Sequence, residues 1–198
     1  TAPPKMTEGT VRPMEFGRRW AIAAAVHAGP FPPDYPRDVA FVTSLSGHEL
    51  ARMARPPRMS EEPELHSPMR QQTCSQMWFD PILQRFARSF ANVGLRYHTR
   101  LESFEASKSG VTAEIVDLES GRREHVQADY LVACDGASSA VRQALGIGLD
   151  GQGVLGHSLN LFFRAPDLLK KCGREPGTFF LAIDRDGKTV WATDRCSP

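Results

Sequence analysis

The chain has 198 residues, 41% hydrophobic and 24% charged, with a formal net charge of +1 at pH 7. Its length and composition predict a globular protein of one or two domains, and its near-neutral charge gives no electrostatic argument for binding nucleic acid or an anionic membrane. No apolar run approaches the roughly 20 residues of a membrane span. Neither the four widely spaced cysteines nor the six scattered histidines have metal-ligand spacing. We therefore expect a cytoplasmic protein with reduced cysteines and no metal.

The first part of the chain alternates one predicted helix with proline-rich loops. Residues 11–26 carry an apolar stripe at helical spacing, with Pro13 in the first turn. Residues 38–45 and 48–53 predict two strands joined by a turn at Ser46-Gly47. Residues 55–68 are rich in proline and predict a surface linker.

The central part predicts a helix followed by short strands. Asp80-Pro81 is typical of a helix start, with Asp80 as the N-cap and Pro81 at the first helical position. Gly94 ends this helix. Four strands are then predicted, of which the last three form an antiparallel meander: residues 95–97, 101–106, 111–118 and 123–128.

Residues 129–142 form the most informative segment of the chain. The apolar run 130–134 predicts a strand covered on both faces, which ends sharply at Asp135-Gly136. A short helix follows, capped by Ser138 or Ser139 and closed by Gly146. Ligands of an open α/β sheet bind just beyond the carboxyl ends of its strands, where a carboxylate suits ribose hydroxyls and an arginine suits phosphate.

The end of the chain has a different sequence pattern. The glycines between residues 146 and 153 follow a helix and precede no convincing one, so we expect a flexible joint there. Residues 157–164, 177–183 and 189–193 predict longer strands, with a hairpin turn at Asp186-Gly187 between the last two. These changes predict a boundary near residue 150, with segments 1–150 and 151–198.

Residues 129–142 closely resemble the Asp-Gly motif of the FAD-dependent aromatic hydroxylases. That motif is an apolar strand followed by Asp-Gly, a small spacer, Ser and an Arg six residues after the Gly. Here those positions are Asp135, Gly136, Ser139 and Arg142. These flavoprotein monooxygenases are typified by para-hydroxybenzoate hydroxylase, and the chain is most similar to the phenol and polyketide hydroxylases. The resemblance implies that Asp135, Gly136 and Ser139 support FAD and the nicotinamide nucleotide, and that Arg142 meets a phosphate of the latter.

Two further positions resemble cofactor-binding residues of the same family. Arg12 precedes Met14-Glu15, as in the family segment whose arginine lies against the FAD diphosphate, although Thr10, Val11 and Pro13 depart from that pattern. Gln76 matches a family glutamine just before a helix, where it contacts the adenosine side of FAD. The competing interpretations are a solvated arginine at a helix start and a polar residue at a strand end.

The resemblance implies an α/β (α+β) fold class. Residues 1–150 would form an incomplete three-layer FAD-binding nucleotide domain with inserted strands near 38–70, and residues 151–198 the beginning of a β-sheet substrate domain. The implied cofactors are FAD and NAD(P)H. The implied partners are O₂ and a small phenolic or polyketide-like aromatic substrate, with no nucleic acid and no membrane. A halogenase or reductase on the same scaffold is one alternative.

The other alternative is an inactive fragment with no bound flavin. The sequence contains no strand–Gly-x-Gly-x-x-Gly–helix unit for the FAD diphosphate, no later Gly-Asp motif and no candidate proton-transfer catalyst. The chain therefore covers only the middle of the family, and we expect it to lack cofactor and activity in isolation.

Overall fold

The computed structural model describes residues 8–55, 66–154, 156–157 and 159–194. Within these residues one compact unit combines the chain up to Val93 with the chain from Leu161, and a second unit is Gly94–Asn160. The elements in chain order are β1 (Glu8–Gly9), α1 (Val11–Arg19), α2 (Ala23–His27), β2 (Val39–Val42), β3 (Glu49–Met53), β4 (Gln72–Thr73), α3 (Gln76–Arg88), β5 (Thr99–Ser107), β6 (Gly110–Asp117), β7 (Arg123–Ala128), α4 (Ala140–Ala144), α5 (Leu168–Lys171), β8 (Phe179–Ile183) and β9 (Thr189–Asp194). The mixed α/β fold class is confirmed. No helix of the described ranges is long and apolar enough to cross a membrane.

The predicted helix 11–26 is two helices. The break falls at Ala21, whose φ of 57° lies in the left-handed region that interrupts a right-handed helix. Breaking there lets both helices bury apolar side chains in one core, which contains Met14, Ile22, Val26, Cys74 and Ile82.

Helix α3 begins at Gln76, five residues before the predicted first helical residue Pro81, so the assignment of Asp80 as its N-cap is wrong. The carbonyl of Ser75 accepts hydrogen bonds from the N–H groups of Trp78 and Phe79 at 2.8 and 3.0 Å. Pro81 consequently lies inside the helix. The longer helix brings Phe79 onto the same packed face as buried Ile82, and tertiary packing of this kind outweighs a local helix-start signal.

A four-stranded sheet of order β3-β2-β8-β9 joins two distant parts of the chain. Strands β2 and β3 form the predicted hairpin, β8 and β9 form the second one, and β2 pairs parallel with β8. The core on one face contains Ala40, Val42, Phe180 and Ala182. The strand predicted over residues 157–164 is wrong, because its described residues are exposed and outside any strand. Most of the predicted linker 55–68 lies outside the described residues.

The second unit contains the predicted meander as the antiparallel sheet β5-β6-β7. The strand predicted at 95–97 does not form, since β5 begins at Thr99.

The buried strand predicted at residues 130–134 is also wrong. This segment is assigned to no strand, and Tyr130 and Val132 are 86% and 80% exposed. A buried strand needs neighbours that take up its backbone hydrogen bonds, and no described strand pairs with this segment. Cys134, expected to be a buried apolar residue, is exposed for the same reason.

Candidate functional site

Residues 135–142 fold into a tight corner, here called the Asp-Gly corner. Gly136 has φ +81° and no heavy atom within 4 Å of where a Cβ would stand, so its surroundings are open. The N–H of Ser139 donates to the carbonyl of Gly136 at 3.1 Å, and α4 follows at once. Ser139, one of the two predicted caps, is confirmed as the N-cap, because its Oγ accepts from the N–H of Arg142 at 3.0 Å.

Asp135 is hydrogen-bonded to the start of α4. Its Oδ2 accepts from the N–H of Val141 at 3.3 Å. A hydrogen bond from the Ser139 side chain is the main cause that holds the pKa of Asp135 below its ordinary value of 3.8, with backbone N–H groups adding to the effect. The corner therefore carries an ionised carboxylate at neutral pH.

Arg142 folds back over the same corner. Its Nη1 donates to the carbonyl of Ala137 at 2.7 Å. Its Nε is buried and has no hydrogen-bond partner among the described residues. The remaining guanidinium N–H groups can still reach an anion placed beside the corner.

Arg12 lies in the first turn of α1. Its Nη1 forms an ion pair with Oε2 of Glu15 at 2.7 Å, yet the side chain stays 75% exposed. Its guanidinium carbon lies 5.0 Å from the centre of the Phe16 ring. The hydrogen bond from Arg12 lowers the pKa of Glu15, and Ser67 Oγ also donates to that carboxylate at 2.8 Å. The arginine is thus held in place while one edge remains open to solvent.

Gln76 is the first residue of α3 and is half-buried. Next to it, the N-cap Ser75 is buried, and its Oγ has no hydrogen-bond partner within the described ranges. Ser75 was not predicted as the N-cap. A serine directly before an apolar helical stripe is the signal that could have identified it.

The predicted cofactor residues fall into two groups. Asp135, Gly136, Ser139 and Arg142 lie together in the Asp-Gly corner of the second unit, whereas Arg12 and Gln76 belong to the first unit. Each group taken by itself has side chains that suit a nucleotide, because guanidinium groups bind phosphates, and carboxylates and amides bind hydroxyls. The open space at Gly136 also lets a ligand approach the backbone closely.

Comparison with known proteins gives one consistent family. A model described as "FAD binding domain" matches residues 8–195. The chain is 46% identical over 110 residues to tetracenomycin B2 monooxygenase-dioxygenase of Streptomyces olivaceus, covering 53% of this chain and 20% of that protein. It is 31% identical over 176 residues to 2,4-dichlorophenol 6-monooxygenase of Delftia acidovorans, covering 87% of this chain and 30% of that protein.

A similar solved structure also belongs to a flavin-containing enzyme. The rebeccamycin biosynthetic enzyme RebC with reduced flavin superposes with a TM-score of 0.81 at 30% identity, over 100% of this chain and 37% of that one. The chain thus spans only about a fifth to two fifths of the length of these proteins. The family model covers most of the sequence, and the chain belongs to the FAD-binding domain family of the flavoprotein aromatic hydroxylases.

Proposed function

We propose that the chain is the middle portion of a longer FAD- and NAD(P)H-dependent monooxygenase that hydroxylates a phenolic or polyketide-like aromatic substrate. The observation that carries the proposal is the Asp-Gly corner, with Gly136 in an open left-handed turn and Arg142 beside it. The names of the relatives, which are monooxygenases and hydroxylases, favour hydroxylation over the halogenase or reductase alternative. We place the reaction in the cytoplasm, where NAD(P)H is available.

In this proposal both groups of residues bind cofactor. Arg12 binds the FAD diphosphate and Gln76 the adenosine side of FAD, while Arg142 meets a phosphate of NAD(P)H at the Asp-Gly corner. When bound, FAD supplies the activation of O₂ and the oxygen transfer. The chain's own residues bind and orient the cofactors.

The proposed domain organisation follows the same reasoning. Residues 1–150 form part of the FAD-binding domain, and residues 151–198 begin the substrate-binding sheet. The parallel pairing of β2 with β8 supports a sheet that also includes the inserted hairpin β2–β3. The exposed apolar segment 130–134 supports a longer parent protein, since it has the composition of a central strand.

The first test compares the 198-residue chain with a longer parent protein that contains it. We expect the isolated chain to be colourless and to show no NADPH oxidation. The parent should purify with a flavin absorbance band and consume NADPH when a phenolic substrate is added, with a product heavier by one oxygen atom in mass spectrometry. NADPH consumption without a hydroxylated product would contradict the proposed reaction, and a yellow isolated chain would contradict the fragment proposal.

A matched pair of variants tests the FAD site in that parent. Arg12→Ala should weaken FAD binding about tenfold or more, because one charged hydrogen-bonding contact to the diphosphate is lost. Arg18→Ala removes an exposed arginine of the same helix and should leave flavin content unchanged. Equal flavin content in both variants would show that Arg12 does not bind FAD.

A further inference from the structure

The hydrophobic pattern of β2 and β8 does not fix the register of their parallel pairing. Both strands are entirely apolar, with the sequences Val-Ala-Phe-Val in β2 and Phe-Phe-Leu-Ala-Ile in β8. A register is normally set by polar and apolar residues that alternate between the two faces, or by the turn of a hairpin. Neither applies here, because the chain passes through every element from β3 to α5 between the two strands. The register must therefore be set by contacts outside the strands.

Backbone hydrogen bonds at the beginning of the two strands provide such contacts. The carbonyl of Asp38 accepts from the N–H groups of Thr178 and Phe179 at 3.0 and 3.2 Å. The Thr178 hydroxyl belongs to a residue that is only 2% exposed, and it donates to the carbonyl of Pro36 at 3.2 Å. These contacts join the residues just before β2 to the start of β8, and a shifted register would break all of them.

The side chain of Arg52, on β3, connects the same two segments. Its Nε and Nη2 donate to the two carboxylate oxygens of Glu49 at 2.9 and 2.8 Å, which holds the guanidinium in one orientation. Its Nη1 donates to the carbonyl of Pro176 at 3.0 Å and to Oδ2 of Asp38 at 3.3 Å. One planar group therefore bridges β3, the residue before β2 and the segment before β8.

Gly177 lets these segments approach closely in one register. A Cβ at this buried position would stand 3.2 Å from the carbonyl oxygen of Asp38 and 3.4 Å from Nη1 of Arg52, which is tighter than most Cβ contacts in folded proteins. A shift of one residue would bring Pro176 or Thr178 to this place, and both carry a Cβ. The observed register is thus the one in which a glycine meets Asp38.

We propose that Asp38 and Arg52 are positioning residues, which fix β8 in one register against β2 where the apolar strands by themselves do not select one. A shift of one residue would move each β8 side chain by about 3.3 Å along the strand and turn it to the other face of the sheet. This role belongs to the chain itself. Its consequence for a parent enzyme rests on the proposed function, in which this sheet helps to bind the aromatic substrate.

The register is measured by nuclear Overhauser effects between the backbones of β2 and β8 in the isotope-labelled 198-residue chain. In the wild-type chain they should connect Val39 with Phe179 and Phe41 with Leu181. Arg52→Met keeps a long side chain but removes every donor. It should weaken these signals by about half or more, because charged hydrogen bonds that distinguish the registers are lost. The same pattern displaced by one residue along β8 should appear in their place.

Val42→Ala is the control for stability. Val42 is fully buried in β2, so its truncation leaves a cavity and destabilises the sheet without removing any of the hydrogen bonds at its start. It should leave the wild-type signals in place. Displaced signals in Val42→Ala as well would show that lost stability, and not the loss of Arg52, shifts the strands, and would overturn the positioning role.

Asp38→Ala covers the case in which Arg52→Met does not fold. It keeps the backbone carbonyl that accepts from Thr178 and removes the carboxylate that accepts from Arg52. It should give the same displaced signals. Wild-type signals alone in Arg52→Met, or in Asp38→Ala if only that variant folds, would overturn the proposal.

The parent enzyme separates this role from the proposed function. There Arg52→Met should lower kcat/KM for the aromatic substrate about 100-fold, because a displaced β8 misplaces the substrate, while flavin content stays unchanged. A displaced register with unchanged kcat/KM would keep the positioning role and contradict the place of this sheet in substrate binding. An undisplaced register in Arg52→Met, together with a parent that hydroxylates its substrate, would reject the positioning role and retain the function.

Discussion

At the residue scale, Arg174 connects two segments that are far apart in sequence. Its side chain is 9% exposed. Its Nε donates to the carbonyl of Leu45 at 2.7 Å, and its Nη2 donates to the carbonyls of Gly47 and Ser44 at 2.6 and 3.2 Å. A lysine has the same charge but cannot reach three carbonyls with a planar fork. We therefore expect Arg174→Lys to lower the free energy of unfolding by about 2 kcal/mol, measured by urea denaturation.

The control for this prediction is Arg185→Lys. Arg185 lies at the exposed turn between β8 and β9, and its side chain makes no hydrogen bond or ion pair within the described residues. Its replacement should change the unfolding free energy by less than about 0.5 kcal/mol. Equal urea midpoints for the two variants would show that the carbonyl contacts of Arg174 contribute nothing measurable.

At the element scale, α3 offers a test of where a helix begins. Because the helix begins at Gln76, Pro81 lies in its interior, where it lacks an N–H for the carbonyl of Met77. Pro81→Ala should therefore stabilise the chain by about 2 kcal/mol. This is the cost of a proline in a helix interior, reduced because the alanine variant has a more flexible unfolded chain. Asp80→Ala should change stability by less than about 0.5 kcal/mol, since Asp80 is exposed within the helix and does not cap it.

Thermal unfolding followed by circular dichroism measures both variants. A helix that began at Pro81 would give the opposite pattern. Asp80→Ala would then cost about 1 kcal/mol through loss of the cap, and Pro81→Ala would lose stability because proline is favoured at the first helical position.

At the scale of the whole molecule, the stability of the fold should decrease as the pH is lowered. Among the described residues, five carboxylates have a pKa held below the ordinary value, namely Glu15, Glu49, Glu114, Asp117 and Asp135. The glutamates accept hydrogen bonds from arginines, and the aspartates from hydroxyl and backbone N–H groups. A group whose pKa is lowered by folding stabilises the fold above its unfolded value, and this contribution is lost as pH falls through the folded value.

The melting temperature should therefore be nearly constant from neutral pH to about pH 5 and then fall below the ordinary values of 4.5 for Glu and 3.8 for Asp. Asp117→Asn should flatten part of this fall, because Asp117 accepts from the Ser120 hydroxyl and from two backbone N–H groups. Asp150→Asn is the control, since Asp150 is exposed and accepts no hydrogen bond within the described residues. A melting temperature that rises on acidification would contradict the prediction.

The features that the sequence determined are those that depend on a few neighbouring residues. Gly110 and Gly121 have positive φ at the turns of the meander, and that meander was correctly predicted. Ser139 caps α4 through an atom three residues away, and the Asp-Gly pattern identified the family that the comparison confirmed. Short-range hydrogen bonds and turn conformations are encoded locally, so a single sequence is sufficient to predict them.

Tertiary structure decided whatever depends on distant partners. The parallel pairing of Val39 with Phe179 and the contacts of Arg174 with the β2–β3 turn join segments more than 120 residues apart, and nothing local encodes them. The start of α3 was set by burial of its apolar face, which outweighed the local preference of Asp80-Pro81. Residues 130–134 have the composition of a buried strand and yet remain exposed, because a strand is stable only when neighbouring strands take up its backbone hydrogen bonds.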